Sequence, residues 1–345
     1  MLCVRNTRSR DASGALARSS EGGRSTKPAL MGRRPNMEAT ADLTGFVDYH
    51  LHVWTSVDAP GVTEEGYCRR AVELGLREVC FTNHWSPLGG GHTITEDEIR
   101  EHWRQVQACR AAFPQVNTRI GLEMDYLPGR EDQVAETITR YEEIMGQPFD
   151  YVLGSIHYLY GVHFPAPSKA SDLYDNHALD DIFRDYFALL IQAVRSGLYD
   201  VMAHIDIIKK YCGELCERYP FEHYRHLAEQ VVEALLDEEV GMEMNTKGLT
   251  HPVHEMNPSQ PFMSLYVRRA RERGQEPIIT LGSDAHRHHQ LGRLLTEGVA
   301  QIRACGVEKL ALWTGHRIRW YPLPGANAGI GQGREPVHLA QPLRR

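Results

Sequence analysis

From Phe46 onward, short apolar runs alternate with longer stretches whose apolar residues recur at helical spacing. That alternation is the signature of a parallel sheet built from βα units. The pattern predicts strands at 46–52 (FVDYHLH), 78–84 (EVCFTNH), 118–125 (TRIGLEMD), 151–157 (YVLGSIH), 200–206 (DVMAHID), 241–246 (GMEMNT) and 278–284 (IITLGSD). Helices are predicted near 63–75, 95–113, 131–145, 179–196, 222–239, 260–273 and 290–305. Thr95 followed by Glu98 is a capping box that opens the second of these.

Seven βα units run without interruption, no GxGxxG follows the first strand, and GxxxxGK[ST] is absent. The expected fold class is therefore α/β, a distorted TIM-like barrel, rather than a doubly wound nucleotide-binding sheet. The connections 158–178 and 247–259 are longer than such barrels usually carry, so both are candidate lids or substrate walls.

With 345 residues, 42% hydrophobic and 24% charged side chains, composition excludes collagen, coiled coil and wholesale disorder. No stretch approaches the roughly 18 apolar residues of a membrane span, and the first twenty residues lack an apolar signal core, so a cytoplasmic location is expected. Seven scattered cysteines without a CxxC pair argue for reduced thiols, and the Cys212/Cys216 pair for packing alone. Residues 1–36 carry eight Lys or Arg against Asp11 and Glu21, residues 325–345 a net +2, and the body between them −15. An acidic body is a poor partner for nucleic acid or anionic lipid. Residues 1–43 are expected to be a disordered basic extension, 44–324 the folded domain and 325–345 a disordered tail. For the basic head, a transit peptide and a misassigned start with Met37 as the true one stay open.

The informative fact is where the polar residues fall. The first strand ends His50, Leu51, His52; the second Asn83, His84; the third carries Glu123; the fourth ends His157; the fifth His204, Ile205, Asp206; the seventh Asp284, Ala285, His286. Parallel barrel strands bring their C-terminal ends to one face, so these groups converge there. A cluster of that kind is costly to bury alone, and divalent ions satisfy it. With more than four nitrogen and oxygen ligands and no thiolate, two or three ions of the Zn, Mn or Fe type are expected. His288 and His289 are read as solvated, and His102, His223, His226 and His316 as surface residues.

DYHLH, FTNH, GLEMDY, GSIH, AHIDIIKKY, EMNTKGL and TLGSDAH, in this order, resemble the polymerase-and-histidinol-phosphatase (PHP) superfamily across residues 45–310. ARSGLYDVMAHIDIIKKY and MNTKGL resemble its histidinol-phosphatase branch, which implies a distorted (β/α)7 barrel with a trinuclear metal centre at the C-terminal ends of the strands. Carried across, the resemblance implies a first site of His50, His52, Glu123 and Asp284; a second sharing Glu123 and adding His157 and His204; and a third of His84, His286 and Asp58. Asp206 is implied as a ligand, a proton donor or a residue orienting His204, with Glu123 and Asp206 as the catalytic pair. Arg195 is the candidate phosphate contact, with a charge offsetting a helix C-terminus as its other reading.

The implied activity is hydrolysis of L-histidinol phosphate to L-histidinol and phosphate, in histidine biosynthesis, by water activated at the ions. Related sequences often carry GLRKP where this chain has Gly248, Leu249, Thr250, His251 and Pro252, so Thr250 stands in place of an arginine. The amine and imidazole of such a substrate are expected to meet Tyr158, Tyr160, Asp172, Asp175 or Glu255. Alternatives are a PHP phosphoesterase acting on another small phosphomonoester, a metal-dependent amidohydrolase, whose barrel would place a lysine where His157 stands, and a PHP nuclease. The expected partner is a small phosphate monoester, without nucleic acid or membrane; composition is silent on oligomeric state.

Overall fold

The βα rhythm becomes seven parallel strands in a computed structural model, which describes residues 42–89, 92–212, 215 and 219–325. The strands of the barrel are β1 (Val47–Leu51), β2 (Glu78–Trp85), β3 (Asn117–Asp125), β4 (Tyr151–Ser155), β7 (Val201–Met202), β8 (Gly241–Asn245) and β9 (Ile279–Gly282). They pair side by side in the order β1-β2-β3-β4-β7-β8-β9. The circle closes weakly between its first and last members, through a single bridge from Leu51 to Ala285 and the bond from His52 N–H to Ala285 O at 3.0 Å. The result is a nearly closed, distorted TIM-like barrel.

Helices α1 (Glu64–Leu74), α2 (Glu96–Ala112), α3 (Glu131–Met145), α4 (Pro167–Tyr174), α5 (Leu179–Arg195), α6 (Phe221–Asp237), α7 (Gln260–Glu272) and α8 (Leu295–Ala304) return the chain between strands. Their starts are chemically explicit. Thr95 Oγ1 accepts from Glu98 N–H while the Glu98 carboxylate accepts from Thr95 N–H, completing the expected capping box of α2. Thr63 caps α1 in the same sense, and Gly75, at φ 74°, ends it in a left-handed turn open to glycine. None of the described helices is long and apolar enough to cross a membrane.

The sequence pattern does not predict a hairpin of β10 (Lys309–Thr314) and β11 (Arg317–Pro322). It lays Trp313 against Tyr151 at the N-terminal end of the barrel, rings stacked 6.2 Å apart, and Trp313 N–H donates to Tyr49 Oη at 3.2 Å. The connection 158–178 also has structure of its own, a two-residue hairpin β5 (Tyr158–Leu159) and β6 (Val162–His163) followed by α4.

Two expectations about single residues change. Cys212 is bonded in a disulfide, so among the described residues the reduced-thiol reading holds for the free Cys68, Cys80, Cys109 and Cys305. His102 is no surface residue: on the inner face of α2 its Nδ1 reaches Glu64 at 2.5 Å and its Nε2 reaches Asn83 at 3.3 Å. His223, His226 and His289 are exposed as expected, whereas His316 sits half-buried between Glu142 and Asp200. His288, half-buried rather than solvated, is bonded to the backbone of Thr63.

Candidate metal centre

At the C-terminal ends of the strands one carboxylate organises the rest. Glu123, buried on β3, turns its two oxygens toward different sets of imidazoles. Its Oε2 lies 3.2 Å from His50 Nε2, 3.5 Å from His52 Nε2 and 2.8 Å from His84 Nδ1. Its Oε1 lies 2.7 Å from His204 Nε2 and 3.6 Å from His157 Nε2, and accepts from Ser155 Oγ at 2.6 Å. Asp284 faces the same space, 3.4 Å from His52 Nε2. Farther out, Asp58 Oδ2 stands 2.8 Å from His286 Nε2 and 3.5 Å from His84 Nε2. The nine residues that the sequence reading named as ligands thus meet in one region, grouped around Glu123 and Asp58.

Local backbone geometry aims several of them. His204 and Asp284, each two residues past the end of the short strands β7 and β9, have positive φ of 24° and 51°, conformations that a side chain with a Cβ adopts at a cost. Gly282 makes room: a Cβ there would lie 2.4 Å from Glu243 Oε1 and 2.5 Å from His50 Cβ.

The charges are strongly coupled. Burial opposes charge on His50, yet Glu243, Glu123 and Asp284 lift its pKa well above the ordinary imidazole value. Burial, and then the neighbouring His286 and His84, hold His52 well below it. Burial likewise works against the Glu123 carboxylate, but His84 and His50 outweigh it and keep Glu123 ionised. Several buried imidazole nitrogens remain poorly served by protein alone. His52 Nε2 has no hydrogen-bond partner among the described residues, and His157 Nε2 faces His204 Nε2 across 3.3 Å. Two ligands on one tetrahedral ion at 2.0–2.1 Å stand about 3.4 Å apart, which is the spacing of several of these pairs. Three groups, His52/His84/His286, His50/His52/Glu123 and His84/Glu123/His157, have donor atoms within 4.8 Å of one another. Imidazole and carboxylate donors without thiolate suit Zn, Mn or Fe, so the residues present fit divalent cations.

Two expected participants stand apart. Asp206 is buried, but its carboxylate accepts from Asn257 Nδ2 at 2.8 Å and Ser259 N–H at 3.0 Å and pairs with Lys209 at 2.9 Å. It fastens the 257–259 turn to the end of β7. Arg195 is the exposed last residue of α5, and barrel helices run antiparallel to the strands, so it lies toward the face opposite the cluster.

Other residues contact the cluster directly. Glu243 Oε1 accepts from His50 Nδ1 at 2.6 Å while its Oε2 accepts from His204 N–H at 2.9 Å. Asp125 Oδ1 accepts from His157 Nδ1 at 2.8 Å. Both fix the tautomer of an imidazole whose other nitrogen points into the cluster. Lys247 Nζ lies 2.8 Å from Asp284 Oδ1 and 3.2 Å from His286 Nδ1. A cavity of about 300 Å³ opens over the cluster, walled by Asp58, Asp125, His92, His163, Lys210, Lys247 and His251 among others. The two long connections contribute His163, Lys247 and His251 to that wall; Tyr158, Tyr160, Asp172, Asp175 and Glu255 do not reach it.

The PHP domain matches residues 48–247, more than half of the chain. The chain belongs to the PHP family. Within it, a probable histidinol-phosphatase of Deinococcus radiodurans is 33% identical over 269 residues, covering 76% of this chain and 95% of that protein. A histidinol-phosphatase of Lactococcus lactis is 24% identical over 274 residues, covering 79% and 96%. The crystal structure of histidinol phosphate phosphatase from Lactococcus lactis, complexed with zinc, L-histidinol and phosphate, aligns with a TM-score of 0.66 at 21% identity, over 80% of this chain and 99% of that one. It shares the PHP barrel.

Proposed function

We propose that this PHP protein is a histidinol-phosphatase, which hydrolyses L-histidinol phosphate to L-histidinol and orthophosphate with two to three divalent ions. The observation that carries the reading is Glu123, whose two oxygens each face a separate set of imidazoles, as a carboxylate shared between ions requires. Likeness over nearly the whole length of two histidinol-phosphatases supports the substrate. His50, His52, Glu123 and Asp284 would hold one ion, Glu123, His157 and His204 a second, and His84, His286 and Asp58 a third. Bound there, divalent cations supply Lewis acidity toward the phosphoryl oxygens and activate water at neutral pH.

The chain's own groups do the remaining work. Lys210, whose Nζ donates to Pro165 O at 3.0 Å on the cavity wall, takes the place expected for Arg195 as a cation beside the phosphoryl group. Lys247 orients Asp284 and His286. Glu243 and Asp125 hold protons on His50 Nδ1 and His157 Nδ1 and so keep each Nε2 free to ligate. Asp125 supplies negative charge along the wall, where a substrate ammonium or imidazolium is met. Tight walls around about 300 Å³ suit a small molecule rather than a polymer.

Kinetics on purified protein with its metal content measured test this reading. kcat/KM for L-histidinol phosphate is expected to exceed that for glycerol phosphate or a sugar phosphate at least about 100-fold, roughly 2.7 kcal/mol of discrimination. A flat profile across these substrates would mean a phosphatase for other small monoesters on the same centre.

A further inference from the structure

The loop after β8 carries a histidine that the metal cluster does not use. His251 follows the 3-10 turn Thr246–Thr250; its N–H donates to Gly248 O at 3.0 Å, and its carbonyl accepts from His254 N–H at 2.9 Å. Backbone bonds therefore fix it on both sides. The residue is only 7% exposed, yet neither Nδ1 nor Nε2 has a hydrogen-bond partner among the described residues. An imidazole buried with both nitrogens unpaired is costly, and packing alone would be better served by an apolar side chain.

His251 lines the cavity over the cluster, together with Lys210, Lys247 and Asp284. It belongs to none of the groups with metal-holding geometry. Burial, and then Lys210 and Lys247, push its pKa down to about 3, so the ring is neutral and offers one donor and one acceptor. Its neighbour Thr250 is exposed, and the Thr250 hydroxyl is spent on Lys247 O at 2.7 Å. Where two lysines already supply charge, the useful addition is a directional donor.

We infer that His251 is a substrate-contacting residue, donating a ring N–H to a phosphoryl oxygen on the Lys210–Lys247 side of the cavity. The inference rests on the phosphomonoester reading for its ligand, but not on the identity of the alcohol released.

The test uses the full-length, zinc-loaded protein and three variants. H251F keeps a ring without a donor, H251A removes the ring, and H251N restores a donor. Calorimetric titration with inorganic phosphate is expected to show binding about 10–100-fold weaker in H251F and H251A, as for a lost hydrogen bond to a charged group, with zinc content unchanged. H251N is expected to recover most of the loss. With histidinol phosphate as substrate, KM is expected to rise in parallel while kcat stays within about threefold. Phosphate binding within about twofold of wild type in folded, fully loaded H251F would overturn the inference, and so would loss of zinc from that variant. Wild-type protein that binds phosphate but does not turn over histidinol phosphate would refute the proposed substrate instead, leaving the phosphate titration to decide the role of His251.

Discussion

Replacing Glu243 by alanine removes a carboxylate that touches two proposed ligands at once. In the native protein it accepts from His50 Nδ1 at 2.6 Å, His204 N–H at 2.9 Å and Asn245 Nδ2 at 3.1 Å, with almost no solvent access. Alanine would leave the His50 and His204 donors buried and unpaired. At roughly 1–3 kcal/mol for each orphaned group, the expected loss of stability is about 2–6 kcal/mol. Freed from its partner, the His50 ring also loses its fixed tautomer, and such outer contacts typically cost about 10–100-fold in metal affinity. Glutamine keeps one acceptor but sets an amide donor against the second N–H, so E243Q should recover less than half of either loss. Thermal unfolding, together with metal retention against a chelator of known affinity, measures both. Wild-type Tm and metal retention in E243A would refute the reasoning, and a wild-type E243Q would show that shape rather than acceptor chemistry matters there.

Chelation is expected to abolish turnover, and E123A to lose more than one ion by elemental analysis, because one carboxylate serves two sets of imidazoles; loss of a single ion would argue against sharing. Burial, and then Lys247, push the Lys210 pKa down to about 8, so its ammonium is charged below that pH and neutral above it. kcat/KM should therefore fall as pH rises through about 8, and K210R should carry the plateau to higher pH; coincident profiles would remove Lys210 from phosphate binding. G282A places a methyl group against Glu243 and His50, at 2.4 and 2.5 Å, and should cost about 1–3 kcal/mol with reduced metal content, read from Tm and elemental analysis.

The barrel was readable because each buried parallel strand is a short apolar run and each helix an amphipathic one, and these periods survive without knowledge of contacts. The ligands were readable for a related reason: polar residues that end apolar strands have one face on which to meet. Residues whose role depends on what lies across the barrel were harder. Glu243 sits mid-strand in GMEMN, where a lone carboxylate between methionines was a signal that went unused, since it has meaning only once His50 is seen opposite. Asp125, two residues after Glu123, shares its face of the strand and was available by alternation. Arg195 and Asp206 are the converse case. The family resemblance pointed to both, whereas helix direction puts Arg195 toward the opposite face and Asp206 pairs with Lys209, Asn257 and Ser259. The β10–β11 hairpin lay beyond the repeating βα pattern that defined the rest.

The weak closure between β1 and β9 bears on how the protein is made. Asp48 ties that seam by accepting from Ser283 N–H and Oγ, a partner 235 residues later in the chain. His50 and His52 stand on one side of the seam, Asp284 and His286 on the other. At about 5–20 residues per second, ribosomal synthesis leaves the first pair waiting roughly 10–50 s for the second. During that interval two of the three proposed sets lack a member, Asp284 in the first and His286 in the third, while Glu123, His157 and His204 are already made; an ion at either incomplete set would be held loosely. Full retention would begin only when the last strand docks on the first. Filling of those two sets would thus come late in biogenesis, and a chain truncated before Asp284 should be recognisable by keeping fewer ions than the whole protein, even where most of its strands have already paired.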